Sequence, residues 1–130
     1  MTVGLAAVTL ANKWLDMLGA TAFTAPTNTY VKLHTGDPGS AGTANASANT
    51  TRVILAWSAA SAGSKAITSA LPSWASWAAG SETITHISVW DNLTVGNFLY
   101  SVALTVSKSI TNGDTLNLTA HTIAFTPIAA

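Results

Sequence analysis

The chain has 130 residues, enough for one domain with a buried core and too few for two. Only 8% of its residues are charged, against about 25% in an ordinary soluble domain, and five basic residues balance five acidic ones. With no basic cluster to neutralise phosphates, nucleic acid is not expected as a partner, and with no cysteine there is neither a disulfide framework nor thiolate chemistry.

Residues 2–18 read as a helix. Val8, Ala11, Leu15 and Leu18 fall on one stripe, Thr2 is placed to cap its start and Gly19 to end it. Lys13 and Asp16 lie three apart and can pair weakly. The first Lys is Lys13, so the N-terminus lacks the basic region of a signal peptide, and no apolar run reaches the roughly 18 residues of a membrane span. Two readings stay open for this helix. It packs on its own β domain, or it docks in part on a neighbouring subunit, with Trp14 among the contacts.

A connector over residues 20–28 precedes a strand. In Tyr30-Val31-Lys32-Leu33-His34, Val31 and Leu33 point one way and the other three the opposite way. Gly36-Asp37-Pro38-Gly39 stops that strand, because Pro38 presets a turn dihedral and the glycines permit positive φ. A polar stretch follows, making a loop from 35 to 51. Loops of that length are uncommon inside compact domains. It is expected on the surface, either bound to a neighbour through residues such as Asp37 and Asn45 or disordered.

Residues 52–58 form a strand with Val53, Leu55 and Trp57 on one face, and residues 65–70 a weaker one. Pro72 places the next piece at an edge or strand start. Trp74 and Trp77 are three apart, so in an extended strand they face opposite ways and one is exposed. They are the candidates for a carbohydrate-stacking or partner contact. Residues 82–90 (ETITHISVW) are a strand of β-branched residues. After a turn from Asp91 to Gly96, Phe98, Tyr100, Val102, Leu104 and Val106 alternate with smaller or polar residues. Asn112-Gly113 signals a hairpin turn. Leu116 and Leu118 mark another strand, Ile123 and Phe125 a last one, and Pro127 a stop. Seven or eight short strands at regular spacing predict a mainly β domain. The fold expected is a single-domain antiparallel β-sandwich or small barrel over residues 29–130, with one N-terminal α-helix over 1–19.

No catalytic set emerges, and no cofactor or metal is expected. His34, His86 and His121 share no ligand spacing. Asp37, Asp91 and Asp114 each adjoin a Pro, Asn or Gly, where an Asp side chain binds its own backbone. There is no Gly-x-Ser-x-Gly elbow, and the Gly36–Gly39 turn opens no helix that would cradle phosphate.

The segment Leu33-His34-Thr35-Gly36-Asp37-Pro38-Gly39, followed by a loop rich in Gly, Ala and Asn, resembles a family of small tailed-phage virion proteins. The same pattern continues in Thr85-His86, Trp90-Asp91, Gly96-Asn97-Phe98-Leu99 and Asn112-Gly113-Asp114-Thr115-Leu116. The resemblance covers roughly residues 29 to 126. It departs at Thr51-Arg52, where an aromatic residue and an arginine are expected together and only the arginine is kept. The resemblance implies a capsid decoration protein on the outer surface of the virion, bound to the major capsid protein and to itself as a trimer. A near-neutral surface suits such packed assembly, since copies repel one another little. The alternative is a tail-tip or tail-fibre module that binds host glycan. An enzyme, such as a small wall hydrolase, is disfavoured by the shortage of charged residues.

Overall fold

The structure, a computed structural model, describes residues 3–126. The expected cap at Thr2 and stop at Pro127 lie outside those residues. The chain is mainly β, as its pattern of short alternating runs requires. A five-stranded antiparallel sheet has the order β1-β7-β6-β2-β3. Its strands are β1 (Gly4–Leu5), β2 (Thr29–His34), β3 (Val53–Leu55), β6 (Glu82–Trp90) and β7 (Phe98–Ile110). Two short ribbons complete the fold. One pairs β4 (Ser64–Ala66) with β9 (Thr122–Ala124), and the other pairs β5 (Ser73–Trp74) with β8 (Leu116–Asn117).

Register explains which side chains are buried together. Val31 stands opposite Val53 and Val89, Leu33 opposite Ile87, Val89 opposite Tyr100, and Ile87 opposite Val102. Directly opposed residues share a face, so these apolar side chains line one side of the sheet. They join Trp74, Trp77, Ile110 and Leu116 in a single core. The other side carries Tyr30, Lys32 and His34 from β2, with Ser88 and Trp90 opposite them on β6.

That second side is buried around His34 and Ser88 as well, and the structure changes four sequence expectations. The N-terminal helix starts later than expected. Residues 4–5 are instead an edge strand paired with Tyr100 and Ser101. The helical segment begins with a wide turn over Ala7–Ala11, continues as α1 (Asn12–Asp16) and tightens over Met17–Gly19. Ala20, at φ 64°, takes the left-handed position expected for Gly19. In β7 the clean alternation fails at its start. A bulge between Val89 and Trp90 sets Trp90 opposite Phe98, and Phe98, Leu99, Tyr100 and Ser101 are all buried. Farther along, Val106 is exposed. The Asn112-Gly113 turn does form, closed by Asp114 N–H on the Thr111 carbonyl at 3.1 Å. It does not make a hairpin, however. It sends the chain out of the main sheet to pair β8 with β5.

The 35–51 loop is the fourth change. It is folded onto its own domain. Thr35 N–H donates to the Asn45 carbonyl at 2.9 Å, Ala44 N–H to the Pro38 carbonyl at 2.9 Å, and Ser47 N–H to the Leu33 carbonyl at 3.1 Å. Pro38, Gly42 and Ser47 are buried.

Candidate functional site

The loop is held down by a buried polar relay. His34 is fully buried, and its Nδ1 lies 2.8 Å from the Ala44 carbonyl. A carbonyl only accepts, so Nδ1 carries the proton and Nε2 of the neutral ring is the acceptor. The Ser88 hydroxyl, 2.7 Å away, donates to Nε2 and accepts Trp90 Nε1–H at 2.8 Å. Burial pushes the His34 pKa down, and the nearby Lys32 and His86 charges act the same way, against the opposing pull of the Ala44 carbonyl. Two more contacts pin the loop. Gly42 lies flat on the Phe98 ring, where a Cβ would stand 2.3 Å from Cδ2. The Ser47 hydroxyl donates to one Glu82 carboxylate oxygen, and Ala48 N–H to the other at 3.2 Å.

A second rigid piece is the turn between β6 and β7. The Arg52 guanidinium sits 4.0 Å above the Trp90 ring, and its Nη1 donates to the carbonyls of Asn92 at 2.8 Å and Val95 at 2.7 Å. Asp91 accepts from Asn97 N–H at 2.7 Å and Asn97 Nδ2 at 2.8 Å. Gly96, at φ +94°, is where a Cβ would meet Asp91 Oδ1 at 2.3 Å. Leu93 and Val95 are therefore displayed on a braced turn.

The five sequence candidates fall in three places. Asp37 and Asn45 come together in the folded loop, where Asp37 Oδ1 accepts from Gly39 N–H at 2.9 Å and Asn45 Nδ2 donates to the Asp37 carbonyl at 2.9 Å. Trp14 is half-buried and meets the Phe125 ring edge-on at 5.2 Å. Trp74 and Trp77 are not an exposed pair, nor is either one exposed. They are 3% and 2% exposed, and their indole N–H groups donate to the carbonyls of Thr51 and Gly80. The expected opposition of faces assumed an extended strand. Ser76, at φ 53°, turns the chain and brings Trp77 back to the core.

No group of three His, Cys, Asp or Glu side chains among the described residues could hold a metal ion. His121 has its ring stacked on Tyr100 and its Nε2 2.7 Å from the Tyr100 hydroxyl. Burial lowers the His121 pKa and raises that of Tyr100 well above the usual phenol range. The phenol therefore donates and the imidazole accepts, which is a structural contact beside Trp57.

One face of the helical segment is left uncovered, as are single side chains elsewhere such as Val95 and Val106. Leu10 is buried and Trp14 half-buried, one turn apart on the side facing the domain. The predicted stripe is real but points outward: Val8 is 75% exposed, Leu15 65% and Leu18 83%. No helix of the described residues is long and apolar enough to cross a membrane.

The family described as Podophage GP4 fiber I protein gp80 matches residues 6–126. The chain belongs to that family. It is a bacteriophage structural protein, and the virion is where the family places it. No curated protein matches it. In this fibre-family chain the matched span begins at Ala6, so it takes in the outward-facing helical stripe together with the sheet, the folded loop and the braced turn. Three residues that hold the loop and the turn, His34, Arg52 and Glu82, carry no partner-contact role in the sequence reading. A signal existed for Arg52, which alone survives of the aromatic–arginine pair that the resemblance leads one to expect. Its aromatic partner is Trp90, brought in from another strand.

Proposed function

We propose that the protein is a non-enzymatic assembly subunit on the outside of the phage particle, working by burying surface against its neighbours. The observation that carries this reading is an uncovered apolar helical stripe on a domain whose surface has very few charges. The 35–51 loop is held by His34 and Glu82, and the 91–97 turn by Arg52 and Asp91. A subunit that binds only the assembled particle stabilises it by mass action, and repetition lets modest contacts add up.

The family description favours a fibre as the place of assembly. The second reading is decoration of the outer capsid surface, as a trimer on the major capsid protein, which the resemblance around residues 33–39 favours. The glycan-binding version loses its two proposed contact residues, because Trp74 and Trp77 are core. Quantitative mass spectrometry of separated heads and tails tests the placement. A few copies confined to tails support the fibre. About one copy per capsid subunit, confined to heads, supports decoration and overturns the fibre.

A further inference from the structure

We infer that Lys32 and Arg52 form a docking site for a carboxylate on the surface of another virion protein. This rests on the reading of the chain as an assembly subunit, and it names one contact and its chemistry. Val31 pairs with Val53, so the next residue along each strand sets Arg52 beside Lys32 on the second side of the sheet. Ser88 stands opposite Lys32 on its other flank. Like charges side by side across two strands are destabilising. Lys32 is also half-buried, and burial and the Arg52 charge both push its pKa down. No acidic side chain among the described residues pairs with it. A chain with only five basic residues thus places two of them together and gives Lys32 no counter-charge.

The domain's own carboxylates are engaged elsewhere. Glu82 is held by Ser47 and Ala48, Asp114 by Thr111, and Asp37 by Gly39. Asp91 is near enough to favour the Arg52 charge, but its two oxygens accept from Asn97. Asp16 belongs to the helical segment. Arg52, meanwhile, is set to receive a carboxylate. Its plane rests on Trp90 and its Nη1 on two carbonyls, which fixes the guanidinium, while Nη2 and Nε have no partner among the described residues. A guanidinium held still with N–H groups to spare binds a carboxylate at little entropic cost.

The surroundings favour a protein surface as the source of that carboxylate. Ile54, 47% exposed, lies two residues from Arg52 and so on the same face. Val95, 77% exposed, and Leu93 belong to the turn that Arg52 holds. A partner must therefore bring apolar groups around its acid, as a folded protein surface does. Small ligands take concave sites. The domain's two best-formed hollows, beside residues 4–9 and beside His121, include neither cation. Two cations are also too few to follow a phosphate backbone.

The test uses the purified full chain and phage particles assembled without it, with binding read by co-sedimentation. Wild-type chain should bind, and more weakly as NaCl rises from about 0.05 to 0.3 M. Lys32→Gln and Lys32→Met should each raise the Kd about tenfold and flatten that salt dependence. In the isolated chain the same substitutions should raise Tm, because they end the repulsion with Arg52 and remove a desolvated charge. A lysine with a structural role alone would not combine a gain in stability with a loss of binding. Lys32 variants that bind particles as the wild type does overturn the inference and leave the assembly reading standing. So do wild-type binding that is indifferent to salt and a Tm that falls in both variants. A wild-type chain that binds no particles overturns both. An acidic sugar is tested with hyaluronan, whose repeating unit carries a carboxylate. Binding to it that Lys32→Gln abolishes assigns the site to a sugar and overturns the protein partner.

Discussion

Ser88 Oγ lies 2.7 Å from His34 Nε2 and 2.8 Å from Trp90 Nε1, joining the strand that starts the long loop to the central strand of the sheet. This ties the protein's stability to pH. The folded-state pKa of His34 is lowered from 6.5, mainly by burial, and that of His121 is lowered for the same reason. The unfolded chain then binds more protons than the folded one as pH falls below 6.5. Stability is complete above that value and is lost as pH drops toward the folded pKa values. Thermal melts between pH 7.5 and 5, in steps of about half a unit, should show Tm falling through the histidine range. In His34→Gln the fall should be smaller, with the remainder due to His121. A wild-type Tm that stays level down to pH 5 would refute this.

Gly42 tests how closely the loop is seated. Its φ of +70° is one that L side chains rarely adopt, and a Cβ there would collide with the Phe98 ring. Gly42→Ala should destabilise the domain by about 1–3 kcal/mol, combining backbone strain with overpacking. Gly39→Ala meets only Ala44 at 3.7 Å and has the same sign of φ, so it should cost about 1 kcal/mol, from strain alone. Urea unfolding of the two variants gives the comparison. Equal losses would mean that the loop is not packed on Phe98.

Arg52 braces the 91–97 turn by two different interactions. Its guanidinium plane rests on Trp90 while one nitrogen donates to two carbonyls. Arg52→Ala should cost about 1–2 kcal/mol. Arg52→Lys should recover only part of that, because an ammonium cannot stack and bridge at once. Amide exchange at residues 92–96 should speed up in both variants. Unchanged exchange would show that Asp91 and Asn97 hold the turn without help.

The parts of the fold legible in the sequence are those set by local alternation. Val31 and Leu33 point inward as their spacing requires, and residues 82–90 form a single strand. What failed depended on what covers a surface. Alternation in β7 breaks at Phe98, where the folded loop lies on the ring through Gly42, and Leu99 is buried too. The helical stripe through Val8, Leu15 and Leu18 was correctly periodic, but a period does not say which stripe meets the core, and Leu10 and Trp14 take that place. Small polar residues made the 35–51 loop look solvated, although its carbonyl at Ala44 is the partner that a buried His34 needs. Trp74 and Trp77 were misplaced by the left-handed backbone at Ser76, a conformation that serine does not announce.

The two serines directly opposite each other on β6 and β7, Ser88 and Ser101, should respond in opposite ways to the same substitution. Both are buried. Ser88→Ala removes a hydroxyl that serves two buried groups, leaving His34 Nε2 without a donor and Trp90 Nε1–H without an acceptor. Each orphaned group costs about 1–3 kcal/mol, so the variant should lose at least about 2 kcal/mol. Ser101 Oγ, by contrast, is a buried atom that has no hydrogen-bond partner among the described residues. Ser101→Ala removes a polar group that was desolvated without return, and should be neutral or stabilising by up to about 1 kcal/mol. Chemical denaturation of both variants at pH 7.5 decides it, above the pH range in which His34 titrates. A loss in Ser101→Ala comparable to that in Ser88→Ala would mean that Ser101 has a partner in solution.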